Sequence, residues 1–424
     1  MPQVVLNCRK KQSKIILILN LPYFIAKRIG KTEEKGFSST IHKIAVACIG
    51  LGLAIMIVSF LIFKGFQYTV KEKIYDFSAH FQVRKYVYGF SYEEPPMSVN
   101  TPLFNHPEEY DFVKHVQEYA HKAGLIKTEE EVLGVVLKGV SRRYDQEIFG
   151  EYLKKGRFIH FSDSGYSSEV VLSQVIADKL KLDVGNEIII HFFQDPPRSR
   201  KLNVVGIYET NLSEYFDDKI VIGDIGLIRR LNNWADSIAG GMEIFIDNPD
   251  KADELEAVLD GLVEQDQYVE KVSDKYVQVF EWLELIRRQV NIFLVIILVV
   301  VCINMISIIL IMIMERTQMI GVLKAMGSPN EVIRKVFGYS GALLIIKGLS
   351  WGNLLGIGLC AIQYYTGVIT LNAKDYYMSE VPIGWSWEII VALNALTFVI
   401  VAVIMFLPTV IISGVQPIKT IRFD

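Results

Sequence analysis

Four stretches of this chain are strongly apolar, and the polar segments take their meaning from where those stretches fall. Residues 44–63, 290–314, 341–366 and 388–412 each have the length of one bilayer crossing, about twenty residues at the helical rise. The interval 64–289 differs in pattern, with short runs that alternate apolar and polar residues. Runs at 79–88, 132–140, 187–193, 201–208 and 242–246 predict strands, and runs at 107–123, 175–182 and 251–263 predict helices. The pattern therefore predicts an α-helical bundle of four transmembrane helices, with a large mixed α/β extracytoplasmic domain between helices one and two.

The connections carry their own signals. Residues 1–43 hold Arg9, Lys10, Lys11, Lys14, Lys27, Arg28, Lys31, Lys35 and Lys43 against Glu33 and Glu34, so the positive-inside rule puts this tail in the cytoplasm. Residues 15–21 lack the small-residue cleavage site of a signal peptide, and 22–29 read as an interfacial helix leading into the membrane. The loop 315–340 then returns to the cytoplasm. Within it Met319, Ile320, Leu323 and Met326 have helical spacing, and Gly327, Ser328 and Pro329 end that helix and start another. The loop 367–387 lies outside, with Tyr376, Tyr377, Trp385 and Trp387 suited to a membrane border, and the tail 413–424, with Lys419 and Arg422, ends inside.

Composition agrees with this division. The chain is 51% hydrophobic and 21% charged, with a mean hydropathy of +0.30. A net charge of −3 supplies no basic field for nucleic acid. Cys8, Cys48, Cys302 and Cys360 all lie outside 64–289, so no disulfide framework is expected there.

Catalytic motifs are missing. The sequence contains no G-x-x-x-x-G-K-[ST] phosphate loop and no G-x-S-x-G elbow. His115 and His121, six apart on an expected helix, do not share a face for a metal. Glu129, Glu130 and Glu131, like Asp217 and Asp218, read as solvated acidic faces. Inside the spans, Lys347 is close enough to the cytoplasmic end to snorkel, and Asn304, Ser307, Asn353 and Asn394 read as interhelical hydrogen-bond partners. The four-residue spacing of Gly348, Gly352 and Gly356 favours close helix packing.

Glu315, Arg316, Thr317, Ile320, Gly321, Leu323, Lys324, Ala325 and Gly327 match the pattern E-R-T-x-x-I-G-x-L-K-A-x-G. In this the chain resembles the four-span permeases that include MacB and FtsX. Residues 22–28, 205–208, 280–283 and 376–382 are similar to further segments of one branch, the LolC and LolE type permeases of lipoprotein-releasing ABC transporters. That resemblance implies a non-catalytic subunit of the bacterial inner membrane that binds no cofactor itself. A separate LolD-type ATPase, carrying ATP and Mg, would dock on the nine matched residues. A second permease, identical or related, would complete the membrane part, and a LolA-type periplasmic chaperone would receive the lipoprotein.

The nearest candidate for the family's chaperone-docking loop is Gln194, Asp195, Pro196, Pro197 and Arg198, although this loop is short and stiffened by its prolines. Met56, Phe60, Phe63, Phe293, Leu294 and Ile297 either line an apolar cavity at a dimer seam or make ordinary lipid and helix contacts. Two rivals belong to the same group. One is an FtsX-like scaffold relaying ATPase motion to a cell-wall hydrolase, and the other a MacB-like efflux permease, which normally carries its ATPase fused in the chain.

Overall fold

A computed structural model of the chain describes residues 21–32, 37–87, 91–128, 131–163 and 165–409. The basic residues before 21, Cys8, Tyr88, Glu129, Glu130 and the tail with Lys419 and Arg422 lie outside the described residues. In chain order the main helices are α1 (Leu21–Thr32), α2 (Phe37–Ser78), α3 (Gln174–Leu180), α4 (Ile225–Asn232), α5 (Ala252–Asp260), α6 (Val277–Glu315), α7 (Thr317–Ala325), α8 (Asn330–Thr366) and α9 (Trp387–Thr409). The strands are β1 (Phe81–Lys85), β2 (Met97–Ser98), β3 (Val113–Lys127), β4 (Val132–Val140), β5 (Leu153–Gly156), β6 (Glu169–Ser173), β7 (Glu187–Phe192), β8 (Arg198–Tyr208), β9 (Ile220–Asp224), β10 (Ile238–Ala239), β11 (Gly241–Ile246) and β12 (Gln267–Lys271). Two units result. Among the described residues, one is helical (within Met1–Phe66, Leu285–Val368 and Pro382–Asp424), and the other is α/β (within Gln67–Glu284 and Ile369–Val381).

Among the described residues four helices, α2, α6, α8 and α9, are long and apolar enough to cross a membrane. Three of them outrun their apolar stretches. At 42 residues α2 is about twice what a bilayer needs. Past residue 63 it carries Lys64, Lys71, Glu72, Lys73 and Asp76, while Phe66, Val70, Ile74 and Phe77 stay buried at three- and four-residue spacing. This continuation is an amphipathic helix.

In the helical unit, glycines set the contact between α2 and α8. A Cβ on Gly348 would lie 2.7 Å from Ile49 Cβ, and one on Gly352 would lie 2.8 Å from the Gly50 carbonyl oxygen. On the other side of α8, Asn353 and Asn394 of α9 exchange amide hydrogen bonds of 2.7 and 2.9 Å. Each side-chain amide thus satisfies the other where no water competes.

The α/β unit is built on a ten-stranded sheet in the order β12-β1-β11-β3-β4-β9-β6-β8-β5, with β7 paired to β3 and β8. Its core gathers Phe81, Val116, Leu137, Val170, Ile190, Val221 and Ile244 with Ile176 of α3 and Ile228 of α4. The helix expected at 107–123 is instead a 3-10 turn at Pro107–Glu109 followed by β3. Residues 116–120 are all buried, so both faces of β3 are covered and the alternation that marks a strand is erased. Buried Gln117 and Glu118 find partners in Glu243, at 2.8 Å, and Arg229, at 3.8 Å. On a strand His115 and His121 share a face but stand about 20 Å apart, too far for one metal.

Helix α2 ends inside this unit. Lys138 Nζ of β4 donates to the Phe77 carbonyl at 2.6 Å, and Gln82 Nε2 to that of Ser78 at 3.3 Å. The charge on Lys138 is met by Glu243 at 2.6 Å, with side chains 5% and 1% exposed. The buried ion pair therefore satisfies the Phe77 carbonyl, and Gln82 that of Ser78, at a helix end that leaves both without intrahelical partners.

Candidate functional site

The charged stretch after the second span folds as a short helix fixed at both ends. The long α6 stops at Glu315, where Arg316 leaves helical geometry (φ −101°, ψ 17°) and the Thr317 hydroxyl donates to the Met314 carbonyl. Helix α7 starts with the Ile320 amide donating to the Arg316 carbonyl at 3.0 Å. It ends in a Schellman cap, with Gly327 at φ +84°. There the Gly327 and Ser328 amides donate to the carbonyls of Lys324 and Leu323, both at 3.0 Å. A Cβ at Gly327 would meet nothing within 4 Å, so its requirement is for the left-handed backbone alone. Pro329 then leads into α8.

The two sides of α7 differ. Ile320 is fully buried in a cluster with Ile309, Met312 and Ile313 of α6, Ile333 and Phe337 of α8, and Met405 of α9. Gly321 is buried beside it. Glu315, Gln318, Val322, Ala325 and Met326 are exposed, at three- and four-residue spacing, with Val322 51% and Met326 70% accessible. Of the nine matched residues, Ile320 and Gly321 thus hold the helix in place, and Arg316, Thr317, Leu323 and Lys324 lie half-buried. Glu315, Ala325 and Gly327 are exposed. Gln318, Val322 and Met326 fall at unspecified positions of the pattern, and Met326, expected on one face with Ile320, is exposed while Ile320 is buried. Their spacing opposite Ile320 was the signal for them.

The six apolar candidates of the spans do not form one surface. Met56 is 1% exposed, in a packed cluster with Leu53, Ile57 and Leu61 and against Phe60, Leu294 and Ile297. Phe63 is also buried, whereas Phe293 is 49% exposed. Helix packing accounts for Met56, and of the six Phe293 is the side chain most open to lipid or another chain.

The hairpin candidate is fastened rather than free. Strands β7 and β8 pair from Glu187–Asn203 to Phe192–Arg198, leaving a tip of Phe193, Gln194, Asp195, Pro196 and Pro197. Arg198 Nη1 donates to the Leu231 carbonyl at 3.0 Å, and Gln194 Nε2 to the same oxygen at 3.4 Å. Both therefore occupy the C-terminal end of α4, where a guanidinium is favoured. Asp195, Pro196, Pro197 and Phe193 are exposed, Phe193 by 61%.

Three polar residues of the α/β unit gave no sequence signal. Asp217, expected on a solvated face, is 1% exposed and accepts from the Thr210 hydroxyl at 2.8 Å. Burial pushes its carboxyl up, against the lowering effect of those bonds. Lys275 donates to Gln82 Oε1 at 2.7 Å, and burial, aided by nearby Arg84, lowers its ammonium to about 8. His80 is lowered to about 4 by burial and by Lys114.

Residues 44–262, just over half of the chain, match the MacB-like periplasmic core domain. Residues 291–417 match the FtsX-like permease C-terminal family. The chain is 22% identical to the lipoprotein-releasing system transmembrane protein LolC of Neisseria meningitidis, across 96% of this chain and 98% of that protein. It is 21% identical to LolE of Haemophilus influenzae, named as a protein of the same system, across 87% and 91%. The periplasmic region of MacB from Actinobacillus actinomycetemcomitans aligns at 15% identity and a TM-score of 0.33, covering 48% of this chain and 94% of that one.

Proposed function

The chain belongs to the FtsX-like permeases that carry a MacB-like periplasmic core domain, and from that premise we propose that it is a permease subunit of a lipoprotein-releasing transporter. As a family member it is a multi-pass, non-catalytic membrane component of an ABC-type transporter with a periplasmic domain. The observation that carries the finer reading is the extent of the likeness. Relatives named for lipoprotein release align over 96% and 87% of the chain.

The physical task suits such an assembly. Each buried methylene contributes about 0.8 kcal/mol, so drawing one long acyl chain into water costs on the order of 10 kcal/mol. A lipoprotein can be released only along a sheltered path, with ATP hydrolysed elsewhere. In this reading a LolD-type ATPase, holding ATP and Mg, docks from the cytoplasm on the exposed stripe of α7, and both termini lie on that side. Its closure moves α7, and α6, unbroken from Val277 to Glu315, carries the displacement outward past Trp282. A second permease, identical or related, faces the apolar spans near Phe293. The hairpin tip at Phe193, Pro196 and Pro197 receives a LolA-type chaperone.

The test is reconstitution in proteoliposomes with the ATPase, any partner permease and an acylated lipoprotein, scored for ATP-dependent release to a soluble chaperone. Release that disappears in Glu315→Ala/Lys324→Ala supports extraction driven through α7. ATP turnover without release in the unmodified complex would refute extraction and favour a scaffold that relays motion to a cell-wall hydrolase.

A further inference from the structure

Residues Ile369–Val381 connect α8 to α9, and a loop in that position is expected to lie at the membrane border. It folds as part of the α/β unit. The segment is internally ordered: the Leu371 amide donates to the Ser379 carbonyl at 2.8 Å, and that of Val381 to the Ile369 carbonyl at 3.1 Å. Met378 is 4% exposed. Tyr377 sits at φ +60° and places its ring 5.7 Å from that of Trp282 and 6.5 Å from that of Tyr215.

One side chain ties this segment down. Lys73, on the charged continuation of α2, donates to the Tyr377 carbonyl at 2.9 Å and to the Thr210 carbonyl at 2.8 Å. Thr210 is itself held by buried Asp217, through its hydroxyl at 2.8 Å and its amide at 3.2 Å. Three segments distant in sequence thus meet at one ammonium, and Tyr215 and Trp282 close over the same loop. Nothing in this arrangement resembles a ligand site.

We infer that Ile369–Val381 is a strap that fastens the last two membrane helices to the outer domain, with Lys73 as its fastening. The domain is then attached to the helical unit by three stretches of chain, the continuing helices α2 and α6 and this strap. Displacement of α8 or α9 reaches the outer domain at Thr210 and Asp217 directly. The inference concerns the chain alone and holds whatever the transporter moves.

The test is hydrogen exchange by mass spectrometry on the full-length chain in detergent, comparing wild type with Lys73→Met, Lys73→Arg and Tyr377→Asn. Asparagine tolerates the positive φ, so this last variant removes the ring while keeping the backbone turn. Lys73→Met and Tyr377→Asn should each speed exchange of peptides within 369–381 and 209–217 together, by about tenfold or more, and leave β3 and β4 unchanged. Lys73→Arg, which keeps a cationic donor, should exchange more slowly than Lys73→Met. The inference is overturned if neither variant loosens the strap, if 209–217 keeps its wild-type rate while the strap loosens, or if β3 and β4 loosen equally in both.

Discussion

Replacing Lys138 by methionine isolates the joint at which the first membrane helix enters the sheet. The ammonium lies 2.6 Å from both Glu243 Oε1 and the Phe77 carbonyl oxygen, and the two side chains are 5% and 1% exposed. Methionine fills most of the volume but leaves Glu243 charged, with only the Gln117 and Gln82 amides, at 2.8 and 3.3 Å, as donors. Losing one member of a buried pair costs about 3–5 kcal/mol. Glu243→Gln should cost a similar amount by stranding the ammonium. The double variant buries no net charge, and the single amide oxygen at 243 still accepts from one of the Gln82 and Gln117 amides, so its loss should fall below the sum of the singles by up to about 3 kcal/mol. Native-state hydrogen exchange on β4 and β11 measures this, since each 1.4 kcal/mol is about tenfold in rate. Each single variant should then raise exchange by about 10²- to 10³-fold. Additive losses, or a Lys138→Met effect below about 1 kcal/mol, would show that water, not this pair, satisfies the end of α2.

Three further outcomes follow from the geometry. Val322→Asp and Met326→Asp, both on the exposed stripe of α7, should leave thermal stability within about 0.5 kcal/mol and weaken binding of the partner ATPase at least about tenfold; wild-type affinity in a pull-down titration would remove the stripe as the docking face. Gly352→Val should force α2 and α8 apart, because its Cβ falls 2.8 Å from the Gly50 carbonyl oxygen, whereas Gly358→Ala, with nothing within 4 Å, should be silent in the same melting experiment. His80, whose Nδ1 accepts from the Ile246 amide, has a folded pKa of about 4, below its ordinary 6.5. The unfolded chain therefore binds the extra proton first, and stability falls as pH drops from 6.5 to 4, by up to about 3 kcal/mol; in melts at pH 7 and pH 4.5, His80→Phe should lose less stability than wild type.

What the sequence made legible, and what it hid, follows from burial. An apolar stretch has few ways to be anything but a span, and Gly348, Gly352 and Gly356 recur at the spacing that brings two helices together. Asn353 and Asn394 were readable because an amide in lipid must find another polar group. The hairpin of β7 and β8 was readable because one of its faces is wet, so β7 alternates strictly. Strand β3 was not, because burial on both faces leaves no alternation to read. Asp217 looked solvated because only the fold brings Thr210 to it. The continuation of α2 past Lys64 carries no predicted element, because the apolar run of the span ends there. Phe66, Val70, Ile74 and Phe77 already carried the helical spacing that runs through it.

The matched pattern around α7 divides along the same line. Ile320 and Gly321 are buried, Gly327 supplies a left-handed cap and Thr317 closes the preceding turn, so folding alone accounts for those positions. It does not account for Glu315 and Ala325, which are exposed and which the helix would tolerate as almost any good helix former. Together with half-buried Lys324, these two are the matched residues whose replacement tests for a partner surface. Gln318, Val322 and Met326, on the same exposed side but unspecified by the pattern, are likewise not fixed by folding. An exchange of those three residues between related permeases should therefore move partner preference without moving stability, whereas an exchange at Ile320 should do the reverse.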